Sequence, residues 1–587
     1  MMRTAACGSL SASQVGKTAS LAGWVHTRRD HGGLIFVDLR DRWGRVQLVF
    51  NPETNPDIHA QAEKLRSEYV IRIEGEVRQR PAGTENQKIS TGQVEVLVKK
   101  LEILNESPTP PFEITGDGEI SEELRLKYRF LDLRRAEMQE SLRFRHELIR
   151  TVREYLHSLD FIEVETPCLT KSTPEGARDF LVPSRLTPGT FYALPQSPQL
   201  FKQLLMVAGF DRYFQLARCF RDEDLRADRQ PEHTQIDLEM SFVEEEDILA
   251  VVEGMIATVF EKALKKTVTQ PFRRIPYEKA ISRYGSDKPD LRYEMFLEDV
   301  TDEIKGIPFK IFQEVIDGGG RIKAMIFPNP AGKDFSRRDF DSLTQFAQGL
   351  GAKGLVWFKV KQGGEVESPV AKFFDAERLM RLIKRLGAQT GQIILMVADE
   401  AHRASILLGA VRVHLAEQFL ALPKDRFEFC WVTDFPLFEW SEEEKRFAAL
   451  HHPFTSPQEA DGSILESNPE KVKARAYDVI LNGVEIGGGS IRIHRREVQE
   501  KVFRVLKMGA KEAEEKFGFL LKALSFGAPP HGGIALGVDR LVTLLRGKDS
   551  IREVIAFPKT QKGTCLMTAA PSTVSPQQLK ELRIRPA

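Results

Sequence analysis

Residues 220–239 constrain the fold of this chain more than any other stretch. Most of them are charged or polar, and residues 213–217 before them and 234–239 at their end alternate polar and apolar side chains. Alternation on both sides of a turn predicts an antiparallel hairpin. This turn is too long and too charged for a tight turn, so we expect it to project toward an anionic ligand. An exposed tip decorated with surface ion pairs is the alternative.

The length and composition of the chain exclude several classes of protein. At 587 residues the chain is too long for one hydrophobic core, which predicts several domains. It has 84 basic and 84 acidic residues, so any surface for nucleic acid must be local. Its five cysteines lie far apart, which disfavours a disulfide framework or a cysteine-rich zinc site. No apolar run suits a signal peptide or a membrane span, which predicts a soluble cytoplasmic protein.

Residues 1–105 have the pattern of a small β domain. Five short alternating segments separated by turn residues predict a sandwich or a small barrel, and the OB-fold is the small barrel that binds nucleic acid on one face. Cations and an aromatic side chain on such a face suit single-stranded bases, although Phe36 is equally consistent with a core position. The residues predicted on this face are His26, Arg28, Arg29, Asp30, His31, Phe36 and Gln47.

The rest of the chain divides by composition into a linker, a two-part domain and an insertion. Residues 106–135 begin proline-rich and lead into a helical pattern, which is typical of a hinge. Residues 136–290 contain the charged hairpin, and residues 426–560 contain further segments with candidate site residues. Residues 291–425 have glycine-rich turns between strands and helices, without a catalytic constellation. We expect a catalytic domain in two parts, an inserted α+β domain between them, and a C-terminal extension at residues 561–587.

Two segments have side chains that suit a small polar substrate. Ser197, Gln199 and Lys202 lie where a turn opens a helix and can point into one pocket, although Lys202 is also consistent with a surface lysine. Residues 486–493 predict a strand made flat by glycines, which allows a ligand to approach the backbone closely. Arg492 lies at its end, and a guanidinium can clamp a carboxylate with two hydrogen bonds.

Three further segments suit phosphates, a metal ion or structural roles. Asp478 and Glu485 are carboxylates seven residues apart across a turn. They fit magnesium, which takes few protein carboxylates plus phosphate oxygens, or they are solvated acids. The histidine pair 451–452 fits structural, metal-binding or substrate-binding roles. Residues 529–541 predict a glycine-rich strand entering a helix with Arg540 in its first turn, where the helix start favours anions.

Together these segments resemble the class II aminoacyl-tRNA synthetases, and over essentially the whole chain the bacterial-type aspartyl-tRNA synthetases. Residues 221–223 match the Arg-x-Glu signature of motif 2, and residues 537–540 match the Gly-x-Asp-Arg of motif 3. Residues 160–167 are similar to motif 1, which builds the dimer interface in that class. The resemblance implies an OB-fold anticodon-binding barrel, an antiparallel-sheet catalytic domain with helices, ATP and Mg²⁺ as cofactors, and a homodimer without a membrane partner.

The resemblance also implies a role for each matching residue. The implied aspartate-binding residues are Glu175, Ser197, Gln199, Lys202, Arg221, Asp237, His451 and Arg492. The implied ATP-binding residues are Arg221, Asp222, Glu223, Gln230, His233, Glu485, Gly537, Val538, Asp539 and Arg540, of which Arg221, Glu223 and Arg540 are catalytic. The implied metal ligands are Asp478 and Glu485, and the implied anticodon-binding residues are Arg29, Phe36, Gln47 and Glu95.

Three features of this chain refine those expectations. Lys202 and Arg492 are expected to be buried, unpaired cations that reject the neutral amide of asparagine. His233 stands where the family usually has Phe, which predicts weaker or more pH-dependent ATP binding because an imidazole titrates. His31 and Gly83 match the family members that also charge the asparagine tRNA.

We therefore expect ATP-dependent attachment of L-aspartate to both tRNA(Asp) and tRNA(Asn) through aspartyl-adenylate. The alternatives are an enzyme restricted to tRNA(Asp), a non-catalytic tRNA-binding paralogue, and an asparagine- or lysine-specific relative. The paralogue is disfavoured because such proteins usually lose motif arginines, whereas Arg221 and Arg540 are both present.

Overall fold

The computed structural model describes residues 2–116, 118–173, 177–223, 228–459 and 462–585. The chain forms two compact units. The first contains Met1–Arg143, Ala556–Thr560 and Thr564–Pro571, and the second contains Phe144–Ile555, Gln561–Gly563 and Ser572–Ala587. A search of the described residues found no helix with the length and apolarity that crossing a membrane requires.

In the described part of the first unit, five strands close into a barrel, as the alternating segments predict. The strand order is β1-β2-β3-β5-β4, with β3 and β5 parallel and the other pairs antiparallel. Every second side chain of these strands points into the barrel, which builds a core rich in Val, Ile and Leu. The bounds are β1 (Thr18–His31), β2 (Leu34–Asp41), β3 (Gly44–Phe50), α1 (Pro56–Ala62), β4 (Val70–Gln79) and β5 (Val94–Asn105).

The helical pattern after the proline-rich stretch is divided rather than continuous. It forms α2 (Glu122–Lys127), α3 (Arg129–Asp132) and α4 (Ala136–Ser158), with a non-helical backbone at Tyr128. The carboxylate of Asp132 is fully buried and accepts hydrogen bonds from Arg125 (3.0 Å) and Arg129 (2.5 Å). A buried carboxylate needs such partners, so the chain bends to bring both arginines to it.

Eight of the described strands of the second unit form its main sheet, in the order β11 (Arg273–Pro276), β17 (Phe429–Thr433), β20 (Ala476–Leu481), β21 (Val484–Ile491), β22 (His531–Gly537), β10 (Glu232–Ser241), β9 (Arg212–Phe220) and β6 (Ile162–Glu163). The charged segment lies at the tip of the antiparallel pair β9–β10, so the hairpin prediction is confirmed. The two-residue strand β6 lies at the sheet edge, parallel to β9. The elements up to the insertion are β6 (Ile162–Glu163), β7 (Leu181–Pro183), β8 (Phe191–Ala193), α5 (Gln199–Val207), β9 (Arg212–Phe220), β10 (Glu232–Ser241), α6 (Glu245–Val259), β11 (Arg273–Pro276) and α7 (Tyr277–Tyr284).

A second, separate sheet with its own helices follows α7. Five of its described strands form a sheet in the order β12-β13-β16-β14-β15, with apolar cores on both faces. Its elements are β12 (Leu297–Asp299), α8 (Thr301–Ile304), α9 (Lys310–Asp317), β13 (Arg321–Phe327), α10 (Arg337–Gly349), β14 (Val356–Val360), β15 (Val366–Glu367), α11 (Ala376–Leu386), β16 (Ile393–Asp399) and α12 (Ala401–Phe419).

The chain then returns to the main sheet and completes it. Helices α4 and α6 pack against one face of the sheet through Leu148, Val152 and Ile248, where burial of each aliphatic side chain contributes roughly 1.5–3 kcal/mol. The remaining elements are β17 (Phe429–Thr433), β18 (Phe438–Ser441), β19 (Arg446–Ala449), β20 (Ala476–Leu481), β21 (Val484–Ile491), α13 (Arg496–Val505), α14 (Ala510–Leu524), β22 (His531–Gly537), α15 (Val538–Leu545) and α16 (Pro576–Leu582).

Candidate active site

A cavity of about 730 Å³ opens at the centre of the main sheet. It is lined by the β9–β10 hairpin, the start of α5, the β20–β21 turn and the β22–α15 junction. Most of the residues predicted for aspartate, ATP and metal binding meet there, although they come from segments hundreds of residues apart. Those that line the cavity are Ser197, Gln199, Lys202, Arg221, Glu223, Gln230, His233, Asp237, His451, Asp478, Glu485, Arg492, Gly537, Asp539 and Arg540.

Three predicted residues are not among those that line the cavity. Glu175 lies outside the described residues. Asp222 is exposed and lies 3.9 Å from Arg178, and Val538 is fully buried in the core beneath the sheet. The roles of Asp222 and Val538 in ATP binding stay predictions.

Lys202 and Arg492 are buried but not unpaired, so that expectation is wrong. Nζ of Lys202 lies 2.7 Å from Oδ1 of Asp237 and 3.3 Å from Oε2 of Glu239. Arg492 donates through Nε and Nη2 to the two oxygens of Glu239, at 2.9 and 3.1 Å. Two buried cations without counter-charges would cost more than the fold can offset, and the strand β10 supplies both carboxylates.

Glu239 was not predicted as a site residue, although its spacing from Asp237 in the sequence indicates its position. It follows Asp237 by two residues in β10, and residues two apart in a strand lie on the same face of the sheet. A second carboxylate on that face can therefore reach the same two cations as Asp237, and Glu239 pairs with both of them without lining the cavity itself.

Asp237 keeps one oxygen without a hydrogen-bond partner among the described residues. Burial raises the pKa of this carboxyl to about 6 even though Lys202 opposes the shift. The pKa of Glu239 is lowered despite its burial, because Arg492 and Lys202 both stabilise its charge. Because Oδ1 is bound to Lys202, Oδ2 is the atom of Asp237 that can take up a proton when the pH is lowered.

The two histidines of the pair have different environments. Nε2 of His451 lies 3.2 Å from Oδ1 of Asp478, and that carboxylate raises the pKa of His451 against the effect of burial. Its ring also contacts Phe435 edge to face. His452, which we did not predict, lies with Nε2 2.7 Å from Nη1 of Arg492, and burial with this cation holds its pKa well below the ordinary value. His452 is therefore a neutral acceptor that positions Arg492.

The β20–β21 hairpin brings two carboxylates together at another part of the cavity. A Cβ atom built on Gly488 would lie 2.6 Å from Oδ1 of Asp478 and 3.8 Å from Oε1 of Glu485, so both carboxylates reach over that glycine. Burial, with Glu485 as a neighbour, raises the pKa of Asp478. Lys288 lies 3.0 Å from Glu485, and Arg540 donates to the backbone carbonyl of Glu485 at 2.6 Å.

This pair of carboxylates fits a magnesium ion bound together with phosphates. Across the described chain, no group of three or more His, Cys, Asp or Glu side chains is arranged as a complete metal site. Magnesium commonly takes one or two carboxylates and completes its shell with water and phosphate oxygens. Asp478 and Glu485, whose charges disfavour each other, would gain stabilisation from a divalent cation between them.

Arg221 presents its guanidinium group to the cavity. In the described part of the chain its Nε atom is buried without a hydrogen-bond partner, and its guanidinium has no carboxylate partner. Glu223 beside it accepts a hydrogen bond from Arg229 at 2.7 Å. A guanidinium held in this way is suited to bridging carboxylate and phosphate oxygens.

His233 does not titrate in the range that we expected. Burial, reinforced by the nearby charge of Arg221, lowers its pKa to about 4, so the ring is neutral at physiological pH. Asp539 has a structural role as well as a place in the cavity wall. It accepts a hydrogen bond from the backbone of Thr234 at 2.9 Å and pairs with Arg145, which fixes the start of α15 against β10.

The barrel in the first unit holds the predicted anticodon residues on one face. Phe36 is half-buried between the fully buried Ile35 and Val37, so it belongs to the outer face rather than to the core. Arg29 lies opposite Phe36 in the β1–β2 register and donates to Oε1 of Gln47 at 3.3 Å. Gln47 in turn donates to Glu95 at 2.8 Å, so these side chains form one polar network.

The two residues that we expect to govern tRNA choice are both exposed, one at the end of a barrel strand and one in a loop. His31 is the last residue of β1, and Gly83 lies in the loop between β4 and β5. Gly83 has φ +85°, a left-handed conformation that favours glycine.

Comparison with known proteins gives consistent matches over the whole chain. Residues 121–561 match the family model described as tRNA synthetases class II (D, K and N), and residues 19–104 match that of the OB-fold nucleic acid binding domain. The chain is 55% identical over 585 residues to an aspartate--tRNA(Asp/Asn) ligase of Desulfatibacillum aliphaticivorans, covering 100% of this chain and 98% of the relative. It is 53% identical to the protein of that name from Aquifex aeolicus, covering 99% of this chain and 98% of the relative.

Solved structures show the same fold at low sequence identity. Asparaginyl-tRNA synthetase from Pyrococcus horikoshii, complexed with asparaginyl-adenylate, has a TM-score of 0.60 at 21% identity and covers 95% of this chain and 99% of its own. Aspartyl-tRNA synthetase from Entamoeba histolytica has a TM-score of 0.56 at 18% identity, and the match covers 93% of this chain and 89% of the other. At such identities the likeness establishes the fold alone.

Proposed function

The chain belongs to the class II tRNA synthetases of the D, K and N group, and on that premise we propose that it attaches L-aspartate to tRNA at the expense of ATP. In the first step the aspartate α-carboxylate attacks the α-phosphorus, which forms aspartyl-adenylate and releases pyrophosphate. In the second step a ribose hydroxyl of the terminal adenosine of tRNA attacks the activated carbonyl. The observation that supports this most directly is that one cavity contains both the cluster of Lys202 and Arg492 and Arg221, whose Nε atom has no hydrogen-bond partner among the described residues.

Lys202 and Arg492 recognise the side-chain carboxylate of aspartate. Both present N–H donors to the cavity, and a carboxylate can accept from both, whereas the amide nitrogen of asparagine brings further donors against them. Asp237 and His451 set the local charge beside these two cations. Glu239 keeps the two cations in place without entering the cavity lining.

The phosphate end of the site lowers the barrier through positioning and charge neutralisation rather than covalent catalysis. Arg221 bridges the α-carboxylate of aspartate and the α-phosphate of ATP. Arg540 holds the terminal phosphate, and Glu223, Gln230 and His233 contact the adenine side. Asp478 and Glu485 would hold Mg²⁺, which neutralises phosphate charge when bound.

The barrel face of Arg29, Phe36, Gln47 and Glu95 binds the anticodon. Its combination of a cation, an aromatic platform and amide groups supports recognition of unstacked bases. We further propose that both tRNA(Asp) and tRNA(Asn) are charged. His31 and Gly83 support this, as does the identity to relatives that are named for both tRNAs.

The domain boundaries and the oligomeric state form part of the same proposal. We assign residues 1–105 to anticodon binding, 106–135 to the hinge, 136–290 and 426–560 to catalysis, and 291–425 to the insertion. A homodimer through motif 1 is supported by the edge position of β6 and by the exposed side chains of Ile162 and Leu169, which are 48% and 53% accessible.

The decisive experiment charges tRNA(Asp) and tRNA(Asn) transcripts side by side with aspartate, ATP and magnesium. We expect comparable charging of both, and His31→Leu should lower charging of tRNA(Asn) by about tenfold while tRNA(Asp) changes by less than about twofold, because each lost base contact is worth roughly 1–3 kcal/mol. Charging of tRNA(Asp) alone by the wild-type protein would establish the restricted enzyme. Charging of neither would establish the non-catalytic paralogue.

A further inference from the structure

Lys288 is a cation of the cavity wall that none of the three class II motifs contains. It lies in residues 285–290, the segment that joins α7 to the inserted domain. Its Nζ atom is 3.0 Å from Oε2 of Glu485, and its side chain is 40% exposed, so it faces the open cavity rather than the core.

The backbone on both sides of Lys288 is fixed by specific contacts. Gly285 ends α7 in the left-handed conformation, with φ +68°. The hydroxyl of Ser286 accepts a hydrogen bond from the backbone N–H of Lys288 at 3.0 Å. The buried carboxylate of Asp290 accepts hydrogen bonds from Arg292 at both oxygens, from Nε at Oδ1 and from Nη2 at Oδ2. A side chain on such a restrained segment is presented to the cavity without a large loss of conformational freedom.

The inserted domain contributes the strongest of these restraints. Arg412 of α12 is buried without a carboxylate partner among the described residues, and its guanidinium donates to three backbone carbonyls. These belong to Asp290 (2.9 Å), Tyr293 (3.1 Å) and Met295 (2.8 Å). Arg412 therefore restrains the segment of Lys288 at its C-terminal end, where the chain enters the inserted domain.

Lys288 and Arg540 converge on one residue of the phosphate end. Arg540 binds the backbone oxygen of Glu485, and Lys288 binds its carboxylate. An ammonium group has three donors, and the contact with Glu485 uses one of them. Lys288 and Arg540 thus place two positive charges beside Glu485, the proposed Mg²⁺ ligand. Such an arrangement suits the negative charges of a polyphosphate.

We propose that Lys288 binds the β- and γ-phosphates of ATP and the pyrophosphate that leaves. This proposal rests on the proposed function. In the activation step a bond forms between the aspartate carboxylate oxygen and the α-phosphorus, while the bond from that phosphorus to the bridging oxygen breaks. The electron pair of the broken bond goes to the pyrophosphate oxygen, and the charge of Lys288 stabilises it there.

The test compares Lys288→Met and Lys288→Arg with Lys279→Met, a matched control at an exposed lysine of α7. Calorimetry measures ATP and pyrophosphate binding without aspartate or tRNA, both with magnesium and in a chelator. We expect Lys288→Met to weaken both ligands by about tenfold or more in either condition, as for a lost hydrogen bond to a charged group. Lys288→Arg should recover most of the affinity, and Lys279→Met should match the wild type.

A second readout separates phosphate binding from general damage. In aspartate-dependent ATP–pyrophosphate exchange, Lys288→Met should raise the KM for ATP and leave the KM for aspartate within about twofold. Equal losses for both substrates would overturn the proposal, as would wild-type binding of ATP. A loss confined to the magnesium titration would also overturn it, because Lys288 would then act only by positioning Glu485. Absence of exchange in the wild-type protein would reject the proposed function, whereas the calorimetry would still decide the role of Lys288.

Discussion

Lys202 and Asp237 form a fully buried ion pair, with 2.7 Å between Nζ and Oδ1, at the end of the cavity where we propose that aspartate binds. The pair comes from α5 and β10, and Glu239 and Arg492 complete a cluster with two positive and two negative charges. Aspartate would enter beside a neutral cluster rather than beside free cations. Selectivity must then come from the direction of the donors and from the charge state of Asp237.

We predict that Lys202→Met reduces discrimination between aspartate and asparagine far more than it weakens ATP binding. The substitution removes a donor to the substrate and leaves Asp237 and Glu239 buried with less compensation. The free energy of unfolding should fall by about 3–5 kcal/mol, as for other broken buried pairs. Aminoacylation kinetics with both amino acids, ATP titration and chemical denaturation measure these effects.

The double variant Lys202→Met with Asp237→Asn is the control for that result. It should recover part of the lost stability because one buried charge is removed, without recovering selectivity. Equal losses in aspartate and ATP binding for the single variant would contradict the assignment of Lys202.

We predict that the KM for aspartate falls as the pH is lowered from 8 to 5, with an inflection near 6. Asp237 has a pKa raised to about 6 by burial, so it gains a proton in this range and the cluster changes from neutral to positive. A positive cluster attracts the substrate carboxylate more strongly. Asp237→Asn should show a low KM without that inflection, and a matching pH dependence in both proteins would refute the role of Asp237.

ATP binding should be independent of His233 titration from pH 5.5 to 8. The pKa of His233 is lowered to about 4, so the ring becomes charged only below this range. The variant His233→Phe offers more stacking surface and should bind ATP about two- to tenfold more tightly, in keeping with roughly 0.5–1.5 kcal/mol for an aromatic contact. Calorimetric titrations of both proteins across the range measure this. If the ATP affinity of the wild type changes with pH and that of His233→Phe does not, then His233 titrates in this range.

We predict that Phe36→Ala raises the KM for tRNA by about tenfold, because stacking of a base on an aromatic side chain is worth roughly 1–3 kcal/mol. Phe36 lies outside the barrel core, so the variant should unfold at nearly the wild-type temperature. ATP–pyrophosphate exchange without tRNA is the control and should be unchanged. A large loss of stability would indicate instead that Phe36 supports the barrel.

The sequence was sufficient for the parts of the site that lie close together in the chain. The hairpin β9–β10, the turn between Asp478 and Glu485, and the entry of β22 into α15 follow from local patterns of alternation and turn residues. Lys202 and Arg492 could be named from their motifs, but their partners could not be derived. The contact of Arg492 with Glu239 joins residues 253 positions apart, and only the strand order brings them together.

Local sequence patterns also did not predict how deeply individual side chains are buried. The titration of His233 depends on how deeply its ring lies beside Arg221. Lys288 lies in a segment without regular structure, so no periodicity marked it. The contact of His452 with Arg492 was not predicted, because the sequence of two adjacent histidines does not indicate which of them faces a buried guanidinium.

The contact of Arg412 with the backbone around Asp290 means that residues 291–425 cannot be excised as a removable module. A shortened chain that joins α7 directly to β17 would lose the donor to the Asp290 carbonyl. The hydrogen bond from the backbone of Lys288 to Ser286 would remain. The insertion thus helps to hold the segment of Lys288 at the proposed phosphate-binding end, although none of the described side chains of residues 291–425 lines the cavity.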